Sequence, residues 1–153
     1  SFPGEDIFKQ KLHQAVNYSE NYLKNLINDT LETCAFTTDL WTKAHKSYIG
    51  ITIHWLTSGF EMHKTLLTIE SFPYPHTSEH IEDCLCKELV KWNLSNKCLA
   101  GVTDNASSMV KAMRDLEILH IWCTAHTIQL GVTNGLKEAT VLISHAKALN
   151  TFR

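Results

Sequence analysis

Three short segments of this chain hold residue types able to do chemistry. In Phe36-Thr37-Thr38-Asp39-Leu40-Trp41-Thr42 and in Val102-Thr103-Asp104-Asn105-Ala106-Ser107-Ser108-Met109, an aspartate stands at the end of an apolar, β-prone run. Trp122-Cys123-Thr124-Ala125-His126 adds a thiol and an imidazole at C-x-x-H spacing. Two strand ends laid side by side would bring two carboxylates to one point. Carboxylate oxygens are hard donors that suit Mg²⁺ or Mn²⁺, and such pairs serve phosphoryl transfer. A lone aspartate at a strand end is more often a turn or helix cap, and Asp104-Asn105-Ala106-Ser107 has that composition. The pair, not either residue alone, carries the catalytic reading.

Other clusters are weaker. Cys123-x-x-His126 is half a zinc site by spacing, but no second pair at zinc-ribbon spacing accompanies it. Read alone, it is a buried cysteine and a histidine at a helix start. His76, His80 and Cys84 are four apart and could share a helix face. Cys86 points elsewhere on such a helix and His76 precedes its cap, so the expectation is a packed Cys84 and solvated histidines. Trp55, Trp92 and Trp122 are expected in the core, and Trp41 beside the Asp39 turn. Lys43, His45 and Lys46 form a small basic cluster that could touch phosphate or be a solvated loop. No Gly-rich phosphate loop, Gly-x-Ser-x-Gly elbow or dinucleotide fingerprint is present.

The elements that must position these groups follow from periodicity. The chain has 153 residues, enough for one domain with a sizeable core, and 44% of them are hydrophobic and 20% charged. The net charge of −2 does not fit a stand-alone basic DNA-binding module. Five cysteines, Cys34, Cys84, Cys86, Cys98 and Cys123, suit a reducing compartment rather than a disulfide scaffold. The N-terminus lacks signal-peptide features, and without an initiator Met the chain is expected to begin inside a longer reading frame. Residues 5–31 read as an amphipathic helix, with Phe8, Leu12, Ala15, Val16, Leu23, Leu26 and Ile27 on one face. Runs 34–39, 48–55 and 61–69 read as an antiparallel meander, ended by Phe72-Pro73-Tyr74-Pro75. Thr77-Ser78-Glu79 starts a helix with an Ile81, Leu85, Leu89, Trp92 stripe. A buried strand spans 97–104, and a helix spans 105–115 with Val110 and Met113 inward. A strand follows over 117–123, and a helix from Ala125 carries Ile128, Leu130, Val132 and Leu136. Periodicity alone gives mixed α/β.

The three segments, in this order, resemble the catalytic core of hAT-superfamily transposases and of the zinc finger BED domain-containing proteins derived from them. The resemblance implies an α/β, ribonuclease H-like fold: a mixed five-stranded sheet with flanking helices, truncated before the last catalytic helix. It implies a leading helix over 1–31, the core over 32–124, and the start of a helical insertion over 125–153. First and fourth strands would be central neighbours, so Asp39 and Asp104, 65 positions apart (104 − 39), would converge. By resemblance Asp39 and Asp104 are catalytic and bind Mg or Mn. Cys123 and His126 lie beside DNA phosphate. The third catalytic glutamate is expected beyond this chain, and Glu138 is not assigned that role. Zinc is expected only in a BED finger of the parent protein. The expected parent is a nuclear protein that binds DNA through that finger, forms a homo-oligomer through a C-terminal region outside this chain, and involves no membrane. The chain itself is expected to be catalytically incomplete. The alternatives are part of an active DNA transposase using Mg-assisted hydrolysis and strand transfer, and a non-catalytic interaction scaffold.

Overall fold

A strand with one buried face must alternate, and the central strands of this protein do. In the computed structural model, which describes residues 4–150, β2 (Lys46–Leu56) buries Ile49, Ile51, Ile53 and Trp55 while their neighbours stay half-exposed. Strand β1 (Cys34–Lys43) does the same with Cys34, Phe36 and Thr38. With β3 (Met62–Ser71), β4 (Cys98–Thr103) and β5 (Leu119–Trp122) they form a five-stranded sheet in the order β3-β2-β1-β4-β5. The β1–β2 and β2–β3 pairs are antiparallel, and β1–β4 and β4–β5 are parallel. This is the mixed α/β, ribonuclease H-like sheet that the resemblance implied, with β1 and β4 adjacent at its centre.

Helices cover the core face. Helix α2 (Ser78–Lys91) starts at Thr77, whose hydroxyl accepts from the His80 amide at 3.3 Å. Its stripe of Ile81, Leu85 and Leu89, continued by Trp92, is buried. Helix α3 (Ser107–Asp115) buries Met109, Ala112 and Met113. Val110, expected inward, is only half-buried, because the inward face runs through Met109 and the small Ala112.

Helix α1 (Glu5–Thr30) departs from expectation in its packing. Only Ile27 is buried, with Leu23 and Leu26 packed beside the core, whereas Phe8, Leu12, Ala15 and Val16 are exposed. A helix of 26 residues is about 39 Å long, and only its last turns meet the core. There Thr30 Oγ1 accepts from Trp55 Nε1 at 3.1 Å, and Lys91 pairs with Glu20 at 2.8 Å. Helices α4 (Thr124–Glu138) and α5 (Thr140–Asn150) close the described residues, and α4 has no buried residue. Its Ile128, Leu130, Val132 and Leu136 are all exposed.

Two further expectations are corrected. Trp55 and Trp92 are in the core, but Trp122 is 63% exposed, since β5 is an edge strand only four residues long. His76 and His80 are half-buried rather than solvated. The His80 ring stacks on Phe72 at 4.3 Å, and His76 Nε2 lies 3.1 Å from the Phe72 carbonyl oxygen.

Candidate functional site

Strand register brings the two aspartates together. The parallel partners Ala35↔Ala100, Phe36↔Gly101 and Thr37↔Val102 all share an offset of 65. Asp39 and Asp104 differ by the same 65 (104 − 39), and each lies two residues beyond the last of these partners. Residues two apart point to the same face, so both follow Thr37 and Val102 onto the face opposite Phe36 and Thr38. Asp39 does not end β1, which runs on to Lys43 as one arm of a hairpin with β2. What ends near Asp39 is the ladder to β4, and that leaves its side chain exposed beside an open strand edge.

An open cavity of about 480 Å³ lies over this face. Asp39, Asp104, Cys123 and His126 all line it. Thr37 of β1 and Gly50 and Thr52 of β2 line it as well, as do Leu66 and Ile69 of β3. Gly50 is paired with Asp39 across the hairpin, and a Cβ there would stand 3.1 Å from Cζ3 of Trp41. The missing side chain lets the Trp41 ring lie over β2, where it stacks on Tyr48 with centroids 5.9 Å apart. Trp41 therefore shapes the cavity wall from within a strand, not from a turn.

The aspartates differ in their partners. Asp104 Oδ1 accepts from the Ala106 amide at 3.1 Å, a turn that leads into α3. The cap reading and the site reading thus coexist, because the turn uses one oxygen. The Asp104 backbone is held as well: its carbonyl oxygen accepts from the buried Thr103 hydroxyl at 2.6 Å, and His120 Nε2 lies 2.9 Å from that hydroxyl. Neither carboxylate is in an ion pair among the described residues. Two carboxylates without a cationic partner at one cavity fit a hard divalent cation, which commonly takes one or two protein carboxylates and fills its shell with water and phosphate. Among the described residues no set of three or more His, Cys, Asp or Glu is arranged to hold a metal. Cys84 donates to Glu70 Oε1 at 2.9 Å, and Cys86 is exposed. Burial, then the Glu70 contact, pushes the Cys84 thiol well above its ordinary value.

Cys123 is the residue before α4, and its amide donates to the Thr103 carbonyl at 2.9 Å. That bond fixes the first turn of α4, with Ala125 and His126, at the edge of the cavity. Cys123 makes no side-chain cap, and no side chain among the described residues accepts from the first-turn amides of α4, where an anion can be received.

The family model described as the ZBED1 RNase-like domain matches residues 37–128, a span that holds both aspartates, Cys123 and His126. The chain belongs to the ZBED1 RNase-like domain family. It is also 26% identical over 139 residues to "Putative AC transposase" of Zea mays, and equally to "Putative AC9 transposase" of the same plant. Each match covers 80% of this chain and 17% of the relative, so the chain spans a small part of the relatives' length. This ZBED1 RNase-like domain is therefore of hAT-transposase descent, as its three segments implied.

Of the cavity lining, the sequence reading missed Gly50, Thr52, Leu66, Ile69 and Gln129. Alternation within β2 could have found Gly50 and Thr52. Leu66 and Ile69 depend on a register shift between Ile51 and Thr52 in the β2–β3 ladder, which no local pattern announces.

Proposed function

We propose that this domain is the paired-carboxylate part of a phosphoryl-transfer site in a nuclear, DNA-binding protein derived from a hAT transposase. The observation that carries the reading is the common offset that aligns Asp39 with Asp104 at one cavity. Asp39 and Asp104 would hold Mg²⁺ or Mn²⁺. Such an ion supplies Lewis-acid polarisation of a phosphoryl oxygen and lowers the pKa of bound water. His126 and the open amides of the first α4 turn would receive phosphate oxygens, and Cys123 would hold that turn in place. A DNA partner is supported by the hairpin tip beyond Asp39. There Lys43, His45 and Lys46 are exposed and form no ion pair with an acid among the described residues. Ala44 and His45 both hold left-handed φ angles of 50° and 64°, which makes this a tight two-residue turn that projects the three cations. Zinc belongs to a BED finger of the parent protein, and self-association to a region outside this chain. With two carboxylates the domain is catalytically incomplete alone.

Calorimetric titration with Mn²⁺ tests the reading. Weak binding is expected, and Asp39→Asn should lower the affinity at least about tenfold, the lower end of what even an outer-shell partner costs a metal site. Absence of Mn²⁺ heat, or equal binding by the variant, would sink the paired-carboxylate site.

A further inference from the structure

Cys34 and Cys98 are direct partners in the β1–β4 ladder, at the ends of those strands remote from Asp39 and Asp104. Their sulfurs are 3.4 Å apart. Both are free thiols, Cys34 buried and Cys98 half-buried. Adjacent, directly paired backbones fall in the separation that a disulfide spans without moving the chain. Cys98 is the more open of the two, and its half-buried position keeps the sulfur pair within reach of a small oxidant. The metal reading uses neither thiol.

The geometry points to Cys34 and Cys98 as an oxidisable dithiol that closes into a disulfide in response to hydroperoxide and ties β1 to β4 at the base of the central ladder. The Cys34 thiolate attacks one peroxide oxygen. The O–O bond breaks, hydroxide leaves and takes up a proton as water, and Cys34 becomes a sulfenic acid. Cys98 sulfur then attacks Cys34 sulfur, the S–O bond breaks, and the Cys98 proton leaves with the hydroxide as a second water. Two thiols and one hydroperoxide give one disulfide and two waters when the oxidant is hydrogen peroxide. The two electrons pass from sulfur to peroxide. A small-molecule thiol returns the pair to the reduced state by exchange.

The order of attack has a physical basis. The adjacent Cys98 thiol holds the Cys34 thiol below its ordinary value; burial opposes this, and the charge of Lys97 adds to the lowering. Cys98 is pushed up, first by its bond to Cys34 and then by burial. The Lys97 charge acts on Cys34 and so favours the thiolate there, which is the reactive form. Cys84 is buried with its proton held, and Cys86 and Cys123 have no sulfur partner among the described residues.

The native chain is exposed to a small excess of hydrogen peroxide, quenched with catalase, denatured and alkylated with a maleimide. Mass spectrometry should count three alkylated cysteines where the reduced chain shows all five. Peptide mapping should recover Cys34 linked to Cys98, and dithiothreitol should restore the count. Retention of all five alkylated sites, a link between other cysteines, or Cys34 recovered as a sulfinic acid without a crosslink would overturn the proposal. In Cys98→Ser, Cys34 should be trapped by dimedone as the sulfenic acid; continued loss of two sites would overturn it as well. The wild-type map decides the matter alone if that variant does not fold.

Discussion

Lys111 shows how much one side chain can organise. Its ammonium donates to Ser78 Oγ at 3.0 Å and to Glu79 Oε1 at 2.7 Å, and pairs with Asp115 Oδ2 at 3.0 Å. The first two acceptors begin α2 and the third ends α3, so one cation bridges two helices. The Lys111 bond lowers the Glu79 carboxyl to about 2, with help from Glu79's own amide and Ser78. A carboxyl whose folded pKa is depressed stabilises the fold above its unfolded value. That contribution is lost as pH falls from about 4.5 through about 2. The pair is exposed, so its effect is small. Thermal melts of Lys111→Met should lose less stability than the wild type between those pH values; parallel curves would show that the bridge contributes nothing. At this scale the candidate residues were legible, because aspartates and a C-x-x-H pair declare themselves by type, and one cavity gathers them. Trp41 over Gly50 was not, since that contact exists only across a hairpin.

Among the elements, β4 is the most tightly constrained. A Cβ on Gly101 would stand 2.6 Å from Cζ of Phe36 and 2.8 Å from Sδ of Met113. The Met113 chain can shift, but the buried Phe36 ring has nowhere to go. Gly101→Ala should therefore cost about 1–3 kcal/mol by overpacking, read as a lower urea midpoint at unchanged slope. An unchanged midpoint would mean that the β1–β4–α3 core is looser than its distances suggest. Most elements were legible: the Ile81, Leu85, Leu89, Trp92 stripe and the Thr77 cap define α2 without ambiguity. The errors came where a local cue stood in for a pairing. Asp39 looked like a strand end because composition shifts after it, yet β2 pairs with β1 as far as Lys43. Val110 looked inward because Ala112, which is fully buried, carries little hydrophobic signal of its own.

For the whole molecule, periodicity found amphipathic helices but could not say what they pack on. The apolar residues of α1 before Leu23, and those of α4, are exposed. Among the described residues no helix is long and apolar enough to cross a membrane. The sheet has one sealed face and one half-open face, and both carboxylates are on the open one. The proposed two-carboxylate site leads to a further expectation: this chain with Mn²⁺ and supercoiled plasmid should give no nicked product on a gel. Nicking that disappears in Asp104→Asn would show that two carboxylates suffice.

The offset shared by the last three β1–β4 partners and the two aspartates means that their meeting is a matter of phase between two rails, not of distance along the chain. Residues added to or taken from the 72–77 connection would change the count between Asp39 and Asp104 and leave them level. A slip of one residue in the ladder would keep that count and turn Asp39 toward the sealed side. Relatives of this domain could thus differ freely in spacing and keep the same pair of oxygens facing the same opening, so a search for a fixed interval between acids would pass over them.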